Sequence, residues 1–150
     1  MTRICITGGP RTGKTTLATD MRAVSSYGGS TPFPLRHTDD LIPLGWSEAS
    51  QAAALWLDEP GPWIIEGVAV SRALRKWRDQ HPGERPPVDR VIRLTEPHIV
   101  LTHQQAVMSK GEETVWNEVG PWLFYSGVPV VQQADLITHA HQHPRLTDAP

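Results

Sequence analysis

Eight residues near the amino terminus constrain this chain more than any others: Gly8-Gly9-Pro10-Arg11-Thr12-Gly13-Lys14-Thr15. They match the pattern G-x-x-x-x-G-K-T in full, and their flanks supply the context that the pattern requires. Before the loop, Arg3-Ile4-Cys5-Ile6-Thr7 is a short apolar run, which predicts a buried parallel strand ending at a ligand loop. After it, Leu17, Ala18, Met21 and Val24 recur at helical spacing from Lys14 onward. A strand, a glycine-rich turn and a helix in that order gather backbone N–H groups and a helix N-terminus around one point, giving it partial positive charge. This cradle suits the β-phosphate oxygens of a nucleotide. Lys14 adds a full charge across the β- and γ-phosphates, and the Thr15 hydroxyl suits Mg²⁺. The ligands expected are therefore ATP and Mg²⁺. Arg11 either adds charge beside the phosphates or points to solvent.

The rest of the chain continues the alternation. A loop from Ser25 to Pro34 leads to a short extended segment at Leu35-Arg36-His37, which ends at Asp39-Asp40. Ser47 with Ser50 and Gln51 predicts a capping-box start to a helix through Leu57, stopped by Pro60-Gly61-Pro62. Trp63-Ile64-Ile65-Glu66-Gly67 predicts a second buried strand, and a helix is expected from Val70 to Gln80. Val88 to Leu94 predicts a third such strand, and Pro97 is expected to open a helical region to about Leu123, broken or bent at Gly111. Gly127 to Val131 predicts a last strand, and Pro129 assigns it to an edge or a strand end. The tail from His139 is expected to be mobile. With 150 residues and no linker, one α/β domain is expected, a parallel sheet flanked by helices with ligands at the carboxyl ends of the strands.

Three segments deliver polar residues to that end of the sheet: Gly8 to Thr15, Asp39-Asp40 and Glu66-Gly67. A carboxylate at a strand end can position or deprotonate an acceptor hydroxyl across from a γ-phosphate, which nominates Asp39 or Asp40. The alternative is that one of the pair caps the following turn. Glu66 closes an apolar strand in a Walker-B-like way, suited to holding Mg²⁺ or contacting the acceptor; the alternative is a salt bridge to Lys14 or Arg72. Arg72, Arg75, Arg93 and Lys110 are candidates to stabilise charge on a transferring phosphoryl group, with Arg72 first because it follows the Glu66-Gly67 turn. Trp46, just beyond Asp39-Asp40, could stack on a base, while Trp56 and Trp63 read as packing residues.

Charge and composition set the bounds. A formal charge of −2 gives no footprint for a long polyanion such as duplex DNA. No run approaches the roughly 18 apolar residues of a membrane span, and no signal-peptide hydrophobic region precedes the glycines, so a cytoplasmic protein is expected. The single cysteine, Cys5, reads as a packing residue in a reducing compartment. His139, His141 and His143 alternate as metal ligands can, without an accompanying cysteine.

Taken together, Gly8 to Thr16 resembles the G-x-P-G-S-G-K-S-T loop of the kinase branch of the P-loop (Walker-A) proteins, especially small kinases related to polynucleotide kinase and the nucleoside monophosphate kinases. His37-Thr38-Asp39-Asp40-Leu41-Ile42 is similar to the polynucleotide-kinase segment in which the first aspartate of a pair acts on the acceptor hydroxyl, with Ile42 where those kinases commonly carry an arginine. Glu66-Gly67-Val68-Ala69-Val70-Ser71-Arg72 resembles the nucleotide-kinase D-G-F-P-R turn, whose arginine grips the acceptor phosphate. In the region of the arginine-rich lid, Thr95 to Trp116, Lys110 is the lysine or arginine present. The resemblance implies a three-layer P-loop NTPase fold and a magnesium-dependent kinase. Lys14, Asp39 and Arg72 would be catalytic, Gly8 to Thr16 would hold ATP, and Asp39, Asp40, Trp46 and Glu66 would hold a small-molecule acceptor, a nucleoside or nucleotide first. A nucleic-acid kinase, disfavoured by the acidic balance, and an ATPase switch with a protein partner are the alternatives.

Overall fold

The computed structural model describes residues 2–132. The expectations for the tail and for His139, His141 and His143 lie outside the described residues. The strands are β1 (Arg3–Gly8), β2 (Leu35–His37), β3 (Trp63–Glu66), β4 (Arg90–Leu94) and β5 (Val130–Gln132); the α-helices are α1 (Lys14–Ser25), α2 (Trp46–Trp56), α3 (Val70–Gln80) and α4 (His103–Tyr125). The strands form one sheet in the order β2-β3-β1-β4-β5, and every pairing is parallel. The chain is an α/β protein.

Alternation along the strands sorts the core into two layers, because successive side chains point to opposite faces. Ile4 and Ile6 of β1, Ile64 of β3 and Ile92 and Leu94 of β4 pack with Ala18, Leu17 and Met21 of α1. Cys5, Trp63, Ile65 and Val91 turn the other way and pack with Ala53 and Ala54 of α2, Leu74 and Trp77 of α3, and Trp116, Val119 and Leu123 of α4. The apolar character of these strands on both faces follows from that sandwiching. Cys5 is fully buried, as its position in an apolar strand predicts, and burial pushes its thiol pKa well above the usual range.

Four local expectations are corrected. Helix α2 begins at Trp46 with Gly45 as its N-cap and no side-chain cap, so the Ser47 capping box does not form. A 3₁₀ turn over Thr38–Leu44 hands the chain to Gly45, whose φ of 98° makes the reversal; Ser50 instead bonds the Trp46 carbonyl. Helix α4 starts not at Pro97 but after Thr102, which forms a complete capping box with Gln105. The stretch before it is not helical, and the His98 N–H bonds the Arg11 carbonyl at 2.9 Å rather than a helical partner. Gly111 does not break α4; the Arg72 guanidinium nitrogen sits 2.8 Å from where a Cβ would be, so the glycine serves a close approach. Strand β4 starts at Arg90 rather than Val88, while β5 takes the edge position that Pro129 predicts.

Candidate functional site

Strand order decides which segments meet. Because β3 lies beside β1 in the register Ile6↔Glu66, the Glu66-Gly67 turn reaches the glycine-rich loop, and the Gly67 N–H bonds the Ile6 carbonyl at 3.1 Å. Because β2 lies beside β3 in the register His37↔Glu66, the Asp39 turn arrives at the same end. The chains leaving β1 and β3 pass to opposite faces of the sheet, α1 packing in one core layer and α3 in the other. That divergence of neighbouring strand ends opens a crevice of the kind in which α/β sheets bind ligands.

The loop is folded around its own lysine. The Lys14 ammonium is buried and donates to the Gly9 carbonyl at 2.6 Å and to Thr12 Oγ1 at 3.4 Å. Thr12 in turn donates to the same Gly9 carbonyl at 2.9 Å. No carboxylate pairs with this ammonium among the described residues. Burial lowers the Lys14 pKa, opposed by the fields of Glu66, Asp39 and Glu112. Gly8 is required by packing as well as by its φ of 142°, since a Cβ there would fall 2.1 Å from the Leu94 carbonyl oxygen. Arg11 adopts φ 62°, the left-handed region, with its side chain exposed.

Beneath the start of α1, Thr15 donates its hydroxyl hydrogen to Glu66 Oε1 at 3.1 Å. His37 Nδ1 lies 2.6 Å from the same oxygen, and because a carboxylate only accepts, Nδ1 carries the hydrogen. The other oxygen, Oε2, is buried and has no partner. Glu66 is 1% exposed and bonds neither Lys14 nor Arg72, so the salt-bridge alternative does not form. Among the described residues no three acidic, histidine or cysteine side chains converge. Of the donors expected for Mg²⁺, which takes few protein ligands and keeps several waters, Thr15 retains its oxygen lone pairs and Glu66 Oε2 is uncommitted, but that oxygen is buried and Glu66 is not among the residues lining the cleft.

A cleft of about 520 Å³ opens above these groups, lined by the loop from Pro10 to Thr16 and by Asp39, Ile42, Trp46, Val68, His98 and Met108. The structure thus brings Lys14, Thr15, Thr16, Arg11, Asp39 and Trp46 to one space. Asp40 is exposed and does not line it, which separates the two aspartates. Arg72 does not line it either: its guanidinium lies 4.7 Å from the centre of the Trp46 ring, and its Nη1 is buried without a partner. Burial and the neighbouring Arg75 lower the Arg72 pKa, against the field of Glu112. Arg93 is taken up by Glu112, and Arg75 reaches Glu118 at 3.4 Å.

His37, Ile42, Val68, His98 and Met108 are site residues that sequence reasoning left without a role. His37 could have been found by aligning the strand ends, since it closes β2 as Glu66 closes β3; His98 lies in an irregular stretch with no local signal. No protein-family model matches the chain, and no curated protein matches it. Among the described residues no helix is long and apolar enough to cross a membrane.

Proposed function

We propose that the protein is a P-loop kinase that transfers the γ-phosphoryl group of ATP to a hydroxyl or phosphate of a small acceptor, a nucleoside or nucleotide first. The observation that carries this reading is that one cleft holds both a buried ammonium with no carboxylate partner among the described residues, Lys14, and a solvent-facing carboxylate, Asp39. Phosphoryl transfer consists mainly of positioning and charge stabilisation, and these two groups suit its two halves. The glycine-rich loop at the end of the central strand of an all-parallel sheet likewise supports a P-loop NTPase fold.

In this reading the acceptor hydroxyl oxygen attacks the γ-phosphorus. The bond from that phosphorus to the oxygen bridging to ADP breaks, and its electron pair leaves with ADP. The hydroxyl proton passes to the Asp39 carboxylate. Lys14 and the loop amides hold the polyphosphate, with Arg11 at the mouth of the cleft. Thr15 and Glu66 would hold Mg²⁺, which would supply neutralising charge to the phosphate oxygens. His37 holds the Glu66 carboxylate in place, and Arg72 fixes the Trp46 ring rather than touching phosphate.

Calorimetry with Mg-ATP and ADP release with added acceptors test the proposal. Lys14→Ala is expected to abolish nucleotide binding and turnover. Asp39→Asn is expected to bind ATP normally while losing transfer by roughly 10²–10⁴-fold. Absence of any heat with Mg-ATP would end the proposal; unchanged transfer by Asp39→Asn would remove the base assignment; release indifferent to every acceptor would point to an ATPase.

A further inference from the structure

We infer that the acceptor is an uncharged alcohol of nucleoside size rather than a phosphate-bearing compound. This rests on the kinase reading above and narrows it. Outside the glycine-rich loop, the cleft is lined by Asp39, Ile42, Trp46, Val68, His98 and Met108. The lysine and arginine among all lining residues, Lys14 and Arg11, both belong to the loop that would hold the donor's phosphates. The acceptor's share of the space therefore offers one carboxylate, one imidazole (His98) and four apolar or aromatic side chains. A phosphate entering it would lose water without meeting a lysine or arginine there and would sit near a like charge.

Among the described residues, the other basic side chains near the cleft do not line it. Arg72 lies against the Trp46 ring, with its fork beside Gly111. Arg93 is bonded to Glu112 through Nε at 3.3 Å and Nη2 at 2.8 Å. Arg75 pairs with Glu118, and Lys110 approaches Glu113 at 3.9 Å; neither lines the cleft. In contrast, a flat ring carrying a hydroxyl matches what is present: Trp46, Ile42, Val68 and Met108 take its apolar body, and Asp39 takes the hydroxyl. Because Asp39 can only accept while ionised, it selects a donor group, which a hydroxyl has and a phosphate dianion lacks.

The test measures ADP release from Mg-ATP with each of the common nucleosides, with its own 5′-monophosphate, and with a 5′-hydroxyl oligonucleotide. At least one nucleoside is expected to stimulate release, with kcat/KM about a hundredfold above that of its monophosphate and of the oligonucleotide. Equal or better stimulation by a phosphate-bearing acceptor would overturn the inference. So would no stimulation by any nucleoside while calorimetry shows Mg-ATP bound. Failure to bind Mg-ATP would instead overturn the kinase reading, and this inference with it. Ile42→Arg places a guanidinium on the acceptor wall and is expected to raise the monophosphate-to-nucleoside ratio of kcat/KM at least about tenfold. An unchanged ratio in a folded variant would refute the charge argument.

Discussion

Replacing Glu112 by alanine probes what holds the loop's scaffold together. Glu112 is 1% exposed and joins four elements: it accepts from Arg93 of β4 at 2.8 Å and 3.3 Å, from Ser71 of α3 at 3.0 Å and from Thr7 of β1 at 3.3 Å, while itself belonging to α4. Thr7 directly precedes Gly8, so this network lies under the candidate site. Alanine would leave the Arg93 guanidinium, whose side chain is 11% exposed, without its counter-charge. Breaking a buried pair from one side costs about 3–5 kcal/mol, against a total stability of roughly 5–15 kcal/mol for a domain. For a chain of this size that corresponds to a fall in Tm of roughly 6–20 °C. The double variant Arg93→Met/Glu112→Leu removes both charges and is expected to lie within about 1 kcal/mol of the parent, because the unpaired charge causes most of the loss. Urea unfolding with unchanged slope, run on Arg93→Met, Glu112→Leu and the double, would measure the coupling. A loss below about 1 kcal/mol for Glu112→Ala, or a double variant as unstable as the two singles summed, would refute the reasoning.

Two further outcomes follow from the same geometry. The Lys14 pKa is lowered by burial, so the folded state disfavours the charged form below the folded pKa, and that cost is relieved as pH rises from the folded value towards the ordinary lysine value of 10.5. Lys14→Met is therefore expected to be more stable than the parent without nucleotide, by roughly 1 kcal/mol, with the gain shrinking as pH rises through that window; thermal melts across pH would show it, and a gain growing with pH would contradict it. Glu66→Gln keeps the shape but removes the charge beside Thr15, and is expected to raise the Mg²⁺ concentration needed for half-maximal turnover about tenfold while leaving Tm within a few degrees; an unchanged Mg²⁺ dependence would exclude Glu66 from the metal's surroundings.

Much of the architecture was legible because it is local. The apolar runs of β1 and β3, the segment Leu35–His37 and the helix Val70–Gln80 appear where periodicity and turn residues place them. The start of α4 was misread because Pro97 and the Thr102–Gln105 box compete as helix openings, and a backbone bond from His98 to the glycine-rich loop settles the matter from outside the segment. Asp39 and Asp40 are adjacent and chemically alike, yet only Asp39 lines the cleft, since neighbouring residues in a 3₁₀ turn point in different directions.

The sequence by itself determined the strand, the turn and the helix around Lys14, because glycine conformations, helix spacing and apolar runs act over a few residues. Tertiary structure decided who meets Lys14 there. The order β2-β3-β1-β4-β5 brings Glu66 to Thr15 across 51 positions and to His37 across 29, seats Arg72 on Trp46 and ties Arg93 to Glu112. A buried polar group must find partners wherever the packed chain supplies them, and that choice depends on burying the whole sheet at once rather than on any local pattern.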